Sequence, residues 1–365
     1  MKESCLRRPA GLRLCHTGEP GRRPNQGGRL AAGVVVSEPV SQVSLFLPEE
    51  WPGRFHIVDW SWLSDVRSFS PSQFPSVPAR GKVSLEIPAG KCLLLLLGGE
   101  SLDLAPLKTM PSKYIQGLQL LTASEPADLD DVGFLPELCW LSLFHNKVVR
   151  GSLRFLTELK HLRFLYLHAK EIDPGSLAPV GELRGLRALY FWTVPAGDDD
   201  LGFLSALTEL EYLDLWGSKI SGAGLGHLRK LTRLQSLYLD HTHVSDQGLL
   251  HLTELRSLRE LILSNTGVTD AGLGHLHALQ AVEYLALNHT TVSDTGLAHL
   301  QRLPKLRHLK LANTHVTDVG LDHLSRMSDL ETLLLPVDGV SEQGAAWIAK
   351  ELPGCEVDRR SVPVP

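Results

Sequence analysis

The segment "LQSLYLDHTHVSDQGLLHLTELRS" at residues 234–257 contains a pattern that recurs along the chain at a step of 24 residues. Three copies follow it directly, and the four together share the consensus LxxLxLxxTxVxDxGLxHLxxLxx. Self-similarity at such a period is the signature of stacked structural units, so this repeat decides the fold. A 23-residue unit comes first and a shortened unit comes last, and the units begin at Ile115, Leu138, Leu162, Leu186, Leu210, Leu234, Leu258, Val282, Leu306 and Leu330.

Each unit combines two different spacings of apolar residues. Positions 1, 4 and 6 are apolar while positions 3 and 5 point to the other side, which predicts a β-strand. Positions 16, 19 and 22 form one apolar stripe, which predicts a short helix. A single unit cannot bury its apolar face, but stacked units share a continuous core and pair their strands into a parallel sheet.

Two further positions of the unit recur in columns. Position 13 is Asp in five units, and we interpret it as a helix N-cap whose carboxylate accepts a backbone N–H, worth about 1 kcal/mol. Position 15 is Gly in six units, which predicts a close backbone approach or special dihedral angles. Two early units have Arg150 and Pro174 at position 13, so we expect irregular backs there. The columns are Asp198, Asp246, Asp270, Asp294 and Asp318, and Gly224, Gly248, Gly272, Gly296, Gly320 and Gly344.

The pattern over residues 115–357 resembles the LxxLxLxx[N/T/C]xL core of the leucine-rich repeat family. Its "TxVTDxGLxHL" form is similar to the short-helix repeats common in bacterial proteins and to the cysteine-containing repeats, with Thr in place of Cys. The resemblance implies an α/β fold: a curved right-handed solenoid with a parallel concave β-sheet and short convex helices. It also implies protein binding as the commonest use.

Four segments follow from this reading. Residues 1–40 are rich in Gly, Arg and Pro without periodicity, which predicts a disordered basic tail. Residues 41–113 contain short apolar runs and are expected to form a β-rich cap over the open end of the solenoid. Within them, "KVSLEIPAGKCLLLLL" at 82–97 is interpreted as a β-hairpin with "PAGK" as its turn. The solenoid of about ten units is expected at 114–358, followed by a C-terminal tail at 359–365.

Composition narrows the function classes. The net charge is −5, and residues 31–365 carry 29 basic against 39 acidic side chains, so nucleic-acid binding is not expected. The longest apolar run, "CLLLLL" at 92–97, is too short to cross a bilayer, and no apolar signal region is visible. Five scattered cysteines without a CxxC fit a reducing compartment. We therefore expect a cytoplasmic protein without a membrane partner.

The strongest functional signal is the placement of aromatic residues. In the five units from Leu138 to Leu234, nine of the fifteen outward positions 3, 5 and 7 are aromatic, although the whole chain is only 6% aromatic. Because Trp and Tyr are typical of interface hot spots, we expect a protein or peptide to bind this face. Packing of the aromatic rings on each other or on a terminal segment is the alternative. The predicted partner-binding residues are Trp140, Phe144, Phe164, Tyr166, His168, Tyr190, Trp192, Tyr212, Asp214, Trp216, Tyr238, Asp240 and His241.

The histidine-rich stretch at 241–251 is a candidate metal site. His251 belongs to a column at position 18 on the helical side, where neighbouring units lie about 8–10 Å apart, too far for shared Zn–N bonds of about 2 Å. His241 and His243 follow the strand, near the concave rim. The solenoid therefore separates these imidazoles, and only a site using His241, His243 and Asp240 stays open.

No catalytic motif is present. "GAGLGH" at 222–227 lacks the Lys–Ser/Thr of a phosphate-binding loop, and no nucleophile elbow, HExxH or kinase set occurs. We expect no catalytic residues, no cofactor and no resident metal. One alternative function is carbohydrate or small-ligand binding on the same face, which a deep pocket would favour over a broad surface. Another is a substrate-recognition subunit of a larger complex such as a ubiquitin ligase, although residues 41–113 show no F-box pattern.

Overall fold

The computed structural model describes most of the chain, and the tail predicted at 1–40 lies outside the described part. The described residues are 41–47, 52–59, 76–88, 91–99, 102–122 and 129–363. The strands in them are β1 (Ser41–Leu47), β2 (Gly53–Asp59), β3 (Ser76–Ala79), β4 (Gly81–Ile87), β5 (Lys91–Gly99), β6 (Ile115–Thr122), β7 (Trp140–Val148), β8 (Phe164–Ile172), β9 (Ala188–Trp192), β10 (Tyr212–Asp214), β11 (Ser236–Tyr238), β12 (Glu260–Ile262), β13 (Tyr284–Ala286), β14 (His308–Lys310), β15 (Thr332–Leu335) and β16 (Glu356–Arg359).

One sheet of fourteen strands runs through the repeat units. Its order is β16 down to β5 without a break, followed by β2 and β3, whereas β1 and β4 form a separate two-stranded sheet. All neighbours from β5 to β16 are parallel, and from β7 onward each strand pairs with the equivalent residues of the next unit, as in Leu213 opposite Leu237. The predicted parallel sheet is confirmed. It places every position of the repeat in a straight row across the strands.

The other side of each unit is made of short helices. The early units have 3-10 helices there, and α-helical turns occur from Asp246 onward. The α-helices are α1 (Asp246–Leu249), α2 (Asp270–Leu273), α3 (Asp294–Leu300), α4 (Leu321–Leu324) and α5 (Glu342–Glu351). The 3-10 helices are Ala105–Thr109, Ser112–Tyr114, Leu129–Phe134, Arg154–Glu158, Ala178–Glu182, Asp198–Ala206, Gly224–Leu228, Leu250–Leu252, Gly274–Ala278 and Asp318–Gly320.

The leucine columns form the continuous core that the repeat predicts. Leu213, Leu237 and Leu261 are completely buried, and burying a leucine side chain stabilises the fold by about 2 kcal/mol. At position 9, the threonine hydroxyls donate to the carbonyl three residues earlier, as Thr242 does to Leu239 at 2.6 Å. These bonds satisfy polar groups that the stacking of the units would otherwise leave buried and unpaired.

The segment at 82–97 does not form the predicted hairpin, and that prediction is wrong. β4 pairs with β1 in a separate antiparallel sheet, whereas β5 lies between β2 and β6 in the large sheet. The physical reason lies in the two apolar patterns. β4 alternates buried and exposed residues, whereas β5 is buried on both faces over Cys92–Leu95, as an interior strand must be. The cap strands β2, β3 and β5 therefore extend the sheet of the solenoid, and β1 and β4 do not.

The aspartates at position 13 do not cap the helices of their own units, so that prediction is also wrong. Each carboxylate reaches into the following unit: Oδ1 of Asp246 accepts the backbone N–H of Thr269 at 2.8 Å, and Oδ2 accepts its hydroxyl at 2.7 Å. In α2 the N-cap is the residue before the aspartate, Thr269, whose hydroxyl accepts the N–H of Ala271. The equivalent carboxylate bonds join Asp198 to Ser221, Asp270 to Ser293, Asp294 to Thr317 and Asp318 to Ser341.

Five of the six glycines at position 15 make room for these carboxylates, whereas Gly248 lies against Gly222. A Cβ on Gly296 would lie 2.3 Å from Oδ1 of Asp270, and a Cβ on Gly272 would lie 2.3 Å from Oδ1 of Asp246. The predicted close approach is thus confirmed, and its partner is the carboxylate of the preceding unit. We call the paired Asp and Gly columns the Asp–Gly ladder.

Candidate protein-interaction face

The outward face of the sheet carries three rows of side chains, from positions 3, 5 and 7 of successive units. Strand register sets the neighbours within each row: Asp214 lies opposite Tyr190 on β9 and opposite Tyr238 on β11. The strands are about 4.8 Å apart, so row neighbours are close enough for ring contacts. We call this surface, over β7 to β11, the aromatic face.

The tyrosines of the aromatic face stack on one another. The rings of Tyr166 and Tyr190 have centroids 3.9 Å apart, and their planes are nearly parallel, with an interplanar angle of 4°. Tyr190 continues to Tyr212 at 4.4 Å, and Tyr212 continues to Tyr238 at 5.1 Å. Trp140 contacts the first tyrosine of this stack, Tyr166, at 5.8 Å. Such pairs each add about 0.5–1.5 kcal/mol beyond area burial, so part of the aromatic signal serves the fold.

Three of the predicted partner-binding residues are buried, which corrects the expectation of a fully exposed patch. Trp140, Phe164 and Tyr190 are 3%, 8% and 6% exposed. They belong to an apolar cluster that also contains Val58 of β2 and Leu94 of β5. The cap strands thus extend this face and help to bury its first part. The repeat pattern shows that these side chains point outward, but it contains no information about that neighbour.

The rim of the aromatic face keeps part of its surface exposed. Five rings follow one another there: Phe144, His168, Trp192, Trp216 and His241, with centroid separations of 5.6–6.4 Å. Trp192 is 38% exposed, and Phe144, His168 and Trp216 are partly buried. Nδ1 of His168 lies 2.8 Å from the carbonyl oxygen of Trp192, which fixes this ring against the next unit.

Two carboxylates lie among the rings. Asp214 and Asp240 are both partly buried, and Asp214 accepts the backbone N–H of Trp216 at 2.9 Å. Burial raises the pKa of Asp214 to about 7. Burial, followed by the charge of Asp214, raises the pKa of Asp240 to about 7. The described structure gives neither carboxylate an ion pair, and Lys310 attracts Asp240 only from a distance.

Position 8 of the units, where His241 lies, has a backbone explanation. His241, Asn265, His289 and Asn313 all have φ near +55°, and Gly217 occupies the same position with φ 70°. Among residues with a side chain, Asn and His are enriched in this left-handed region, which accounts for their recurrence here. The amide of Asn313 also pairs with the backbone of Val362, at 3.1 Å and 3.3 Å, and so holds the C-terminal segment against the rim.

The described residues do not gather three or more His, Cys, Asp or Glu side chains in a possible metal site. His241 has its ring edge against Trp216, His243 is exposed, and Nδ1 of His251 lies 2.6 Å from a guanidinium nitrogen of Arg229 on the helical side. The stretch 241–251 therefore does not converge on one point. No helix in the described part of the chain has the length and apolar character needed to cross a membrane.

Two clefts lie away from the aromatic face. One of about 370 Å³ is next to Trp347 and Asp318 on the helical side. The other, of about 320 Å³, is where β7 and β8 end, among Lys147, Lys170 and Asp173. Neither contains a residue of the aromatic face. The predicted residues share the outward rows of the sheet and line neither of these clefts.

Sequence reasoning left out Glu260, Tyr284 and Lys310, which extend the face beyond β11. Glu260 accepts the hydroxyls of Ser236 and Tyr238 at 3.1 Å and 3.0 Å, and Lys310 lies over the ring of Tyr284 at 5.2 Å. Their positions in the repeat could have found them, because Glu260 and Tyr284 share a row with Tyr212, and Lys310 shares one with Asp214.

Comparison with known proteins agrees with this architecture. Residues 256–316 match the model of the leucine rich repeat family. One similar solved structure is an internalin (inlF) of Listeria monocytogenes strain 4b F2365, with 17% sequence identity and a TM-score of 0.53. The alignment covers 72% of this chain and 85% of the internalin chain. A TDR receptor is 18% identical and covers 72% of this chain, with a TM-score of 0.50. This chain spans only 44% of the receptor's length. No curated protein matches the sequence.

Proposed function

We propose that this leucine-rich-repeat protein is a non-catalytic binding module whose partner, a protein or peptide, docks on the rim half of the aromatic face. Leucine-rich repeats generally mediate protein interactions, and proteins built from them are typically non-catalytic. The face and the kind of partner are the further step. We also propose a cytoplasmic location, since five scattered cysteines without a CxxC fit a reducing compartment.

The observation that carries this proposal is the exposure of Trp192 beside Trp216. Contiguous exposed apolar surface, unlike a single exposed side chain, usually marks an interaction site, and Trp192 and Trp216 are neighbours here. Their ring centroids are 6.4 Å apart, so together they offer one continuous apolar ridge. The neighbouring carboxylates and His241 give this ridge a polar border, as interface hot spots usually have.

A capture experiment with paired variants tests the proposal. The full chain, the double variant Trp192→Ala/Trp216→Ala and the control Val319→Ser are each used to capture partners from a lysate of the source cells. Val319 is 77% exposed on the helical side, so the control removes an exposed apolar side chain away from the aromatic face. We expect the wild type and the control to recover the same partners and the double variant to lose them. Equal recovery by the double variant would contradict the proposal.

A further inference from the structure

We propose that Asp214 and Asp240, with the aromatic rings around them, form a seat for an arginine side chain of the protein partner. This inference rests on the proposed function, because it assigns the chemistry of the residue that docks there. It is carried by the placement of the carboxylates, by the rings around Asp214 and by the buried hydroxyl of Tyr190, the residue opposite Asp214 in the sheet.

The two carboxylates are close neighbours in the sheet. Asp214 is at position 5 of its unit, and Asp240 is at position 7 of the next, where Trp216 is its row neighbour. One strand spacing and two residues of rise separate their Cα atoms by roughly 8 Å. A single guanidinium, which has five N–H donors in a planar fork, can reach acceptors on both sides of such a gap.

Aromatic rings surround Asp214. Tyr190 and Tyr238 are its row neighbours, and Tyr212 and Trp216 flank it along its own chain. Tyr212 bridges the gap that Asp214 leaves in the tyrosine stack, with centroids 4.4 Å from Tyr190 and 5.1 Å from Tyr238. Ring faces attract cations, and an arginine can stack on them while its N–H groups bond to carboxylates.

The hydroxyl of Tyr190 is a separate sign of a missing partner. This residue is 6% exposed, and its hydroxyl makes no hydrogen bond of normal geometry in the described structure. Burial chiefly, then the neighbouring Tyr166 and Tyr212, and last the charge of Asp214, raise the pKa of Tyr190. Buried polar groups are nearly always paired, so this hydroxyl, on the residue opposite Asp214 in the sheet, favours a polar ligand group there.

The charge balance selects a cation for the seat. Lys310, whose charge acts to lower the pKa of Asp240, stays over the ring of Tyr284 at 5.2 Å, and neither carboxylate has an ion pair within the described residues. Arginine fits better than lysine because a planar guanidinium stacks on rings and loses less hydration on burial. The titratable or charged groups around the carboxylates are Tyr190, Tyr212, Tyr238, His241, Glu260 and Lys310.

A direct binding measurement tests the seat without the natural partner. The probe is a short fluorescein-labelled peptide of alternating glycine and arginine, and matched peptides contain lysine, trimethyllysine or glutamate. Fluorescence anisotropy is measured with the full chain at low ionic strength. We expect the arginine peptide to bind about tenfold more tightly than the lysine peptides, and the glutamate peptide not to bind. Binding at about pH 6 should be about tenfold weaker than at about pH 8, because both carboxylates gain protons.

Variants separate the seat from general attraction to a negative protein. Asp214→Asn and Asp240→Asn should each weaken arginine-peptide binding about tenfold or more, and Tyr190→Phe should weaken it about threefold. Asp322→Asn removes the same charge from an exposed carboxylate on the helical side and should change binding less than about twofold. Equal effects of Asp322→Asn and Asp214→Asn, or equal binding of a lysine peptide, would overturn the proposal. Thermal melts check that each variant is folded.

The same variants distinguish failure of the seat from failure of the proposed function. If Asp214→Asn and Asp240→Asn capture the partners of the wild type at full yield while Trp192→Ala/Trp216→Ala loses them, the arginine seat is wrong and the docking face stands. If the tryptophan variant loses no partner, the docking face itself is wrong. Loss of the partners in both sets, together with weaker arginine-peptide binding, supports both proposals.

Discussion

The early and late units attach to their neighbours in different ways. The units from Leu138 and Leu162 have strands of nine residues, β7 and β8, and 3-10 helices behind them. The units from Leu234 to Leu306 have strands of three residues, and the Asp–Gly ladder joins them where the helical segment of each unit begins. The early units instead have the stacked rings of the aromatic face. The difference indicates that the ladder provides stability where the strands are short, while the aromatic face packs the early units and carries the proposed binding surface.

The largest expected effect tests the ladder. Gly296→Ala should lower the free energy of unfolding by about 3 kcal/mol, because the new Cβ would lie 2.3 Å from Oδ1 of Asp270 and 3.1 Å from Leu273. Denaturant unfolding measures this. Gly226→Ala is the matched control, since a Cβ there meets nothing within 4 Å. If Gly296→Ala unfolds at the same denaturant concentration as the wild type, the ladder does not hold the late units together.

A double-mutant cycle tests the pair Asp270 and Gly296, with a smaller expected change in the free energy of unfolding. Asp270→Ala alone should cost about 2 kcal/mol, because the N–H and hydroxyl of Ser293 lose their acceptor. In that background, Gly296→Ala should cost less than about 1 kcal/mol, since the carboxylate that it would meet is gone. Additive effects in the four denaturant curves would mean that the glycine is needed for another reason.

The ladder also shows what the sequence could and could not predict. The period identified the strands, the buried leucines and the crowded glycines, because each of these depends on position within one unit. It could not tell whether the carboxylate of Asp246 bonds within its own unit or to Thr269 in the next, because both arrangements recur every 24 residues. The separate placement of β4 and β5 at 82–97 could have been predicted, because an apolar run such as "CLLLLL" indicates a strand covered on both faces.

In the candidate site, too, the sequence could predict some features and not others. Sequence position placed Trp192, Trp216 and Asp214 on one face, and the structure brings them together there. It could not predict that Tyr190 is buried, because the covering cluster includes Val58 of the cap, far away in the sequence. Nor could it predict the left-handed backbone at His241 from one unit alone, although the alternation of His, Asn and Gly at position 8 carries that signal.

We expect a change of pH to have a smaller effect on the free energy of unfolding, with opposite signs for the carboxylates of the aromatic face and those of the Asp–Gly ladder. Asp214 and Asp240 have folded pKa values near 7, above their ordinary value, so their charged forms destabilise the fold above about pH 7 and this cost disappears as the pH falls toward 4. Asp214→Asn should therefore raise the free energy of unfolding by about 1–2 kcal/mol at about pH 8 and by much less at about pH 5.

The pKa of the ladder carboxylate Asp270 is shifted in the opposite direction. Burial acts to raise the pKa of Asp270, but hydrogen bonds from Ser293, Thr295 and Gly296 outweigh it and hold the pKa below the ordinary value. Its contribution is present above about pH 4 and is lost at lower pH. Unfolding curves of Asp270→Asn and Asp214→Asn across this range should thus differ from the wild type in opposite directions at about pH 8. Curves that shift together would remove the distinction between the two kinds of carboxylate.

The smallest expected effect decides whether the rim of the aromatic face exists for packing or for binding. Trp192→Ala should cost about 1 kcal/mol of stability, because the ring is 38% exposed and touches His168 and Trp216 only at centroid distances of 5.7 Å and 6.4 Å. A fully buried aromatic residue costs about 3–5 kcal/mol when truncated, and Trp140→Ala provides that reference in the same face. A cost for Trp192→Ala near that of Trp140→Ala would mean that the rim rings are packing residues, and the early units would then differ from the late ones only in how they are held together. A small cost combined with lost capture of a partner would instead separate the two roles within one row of rings.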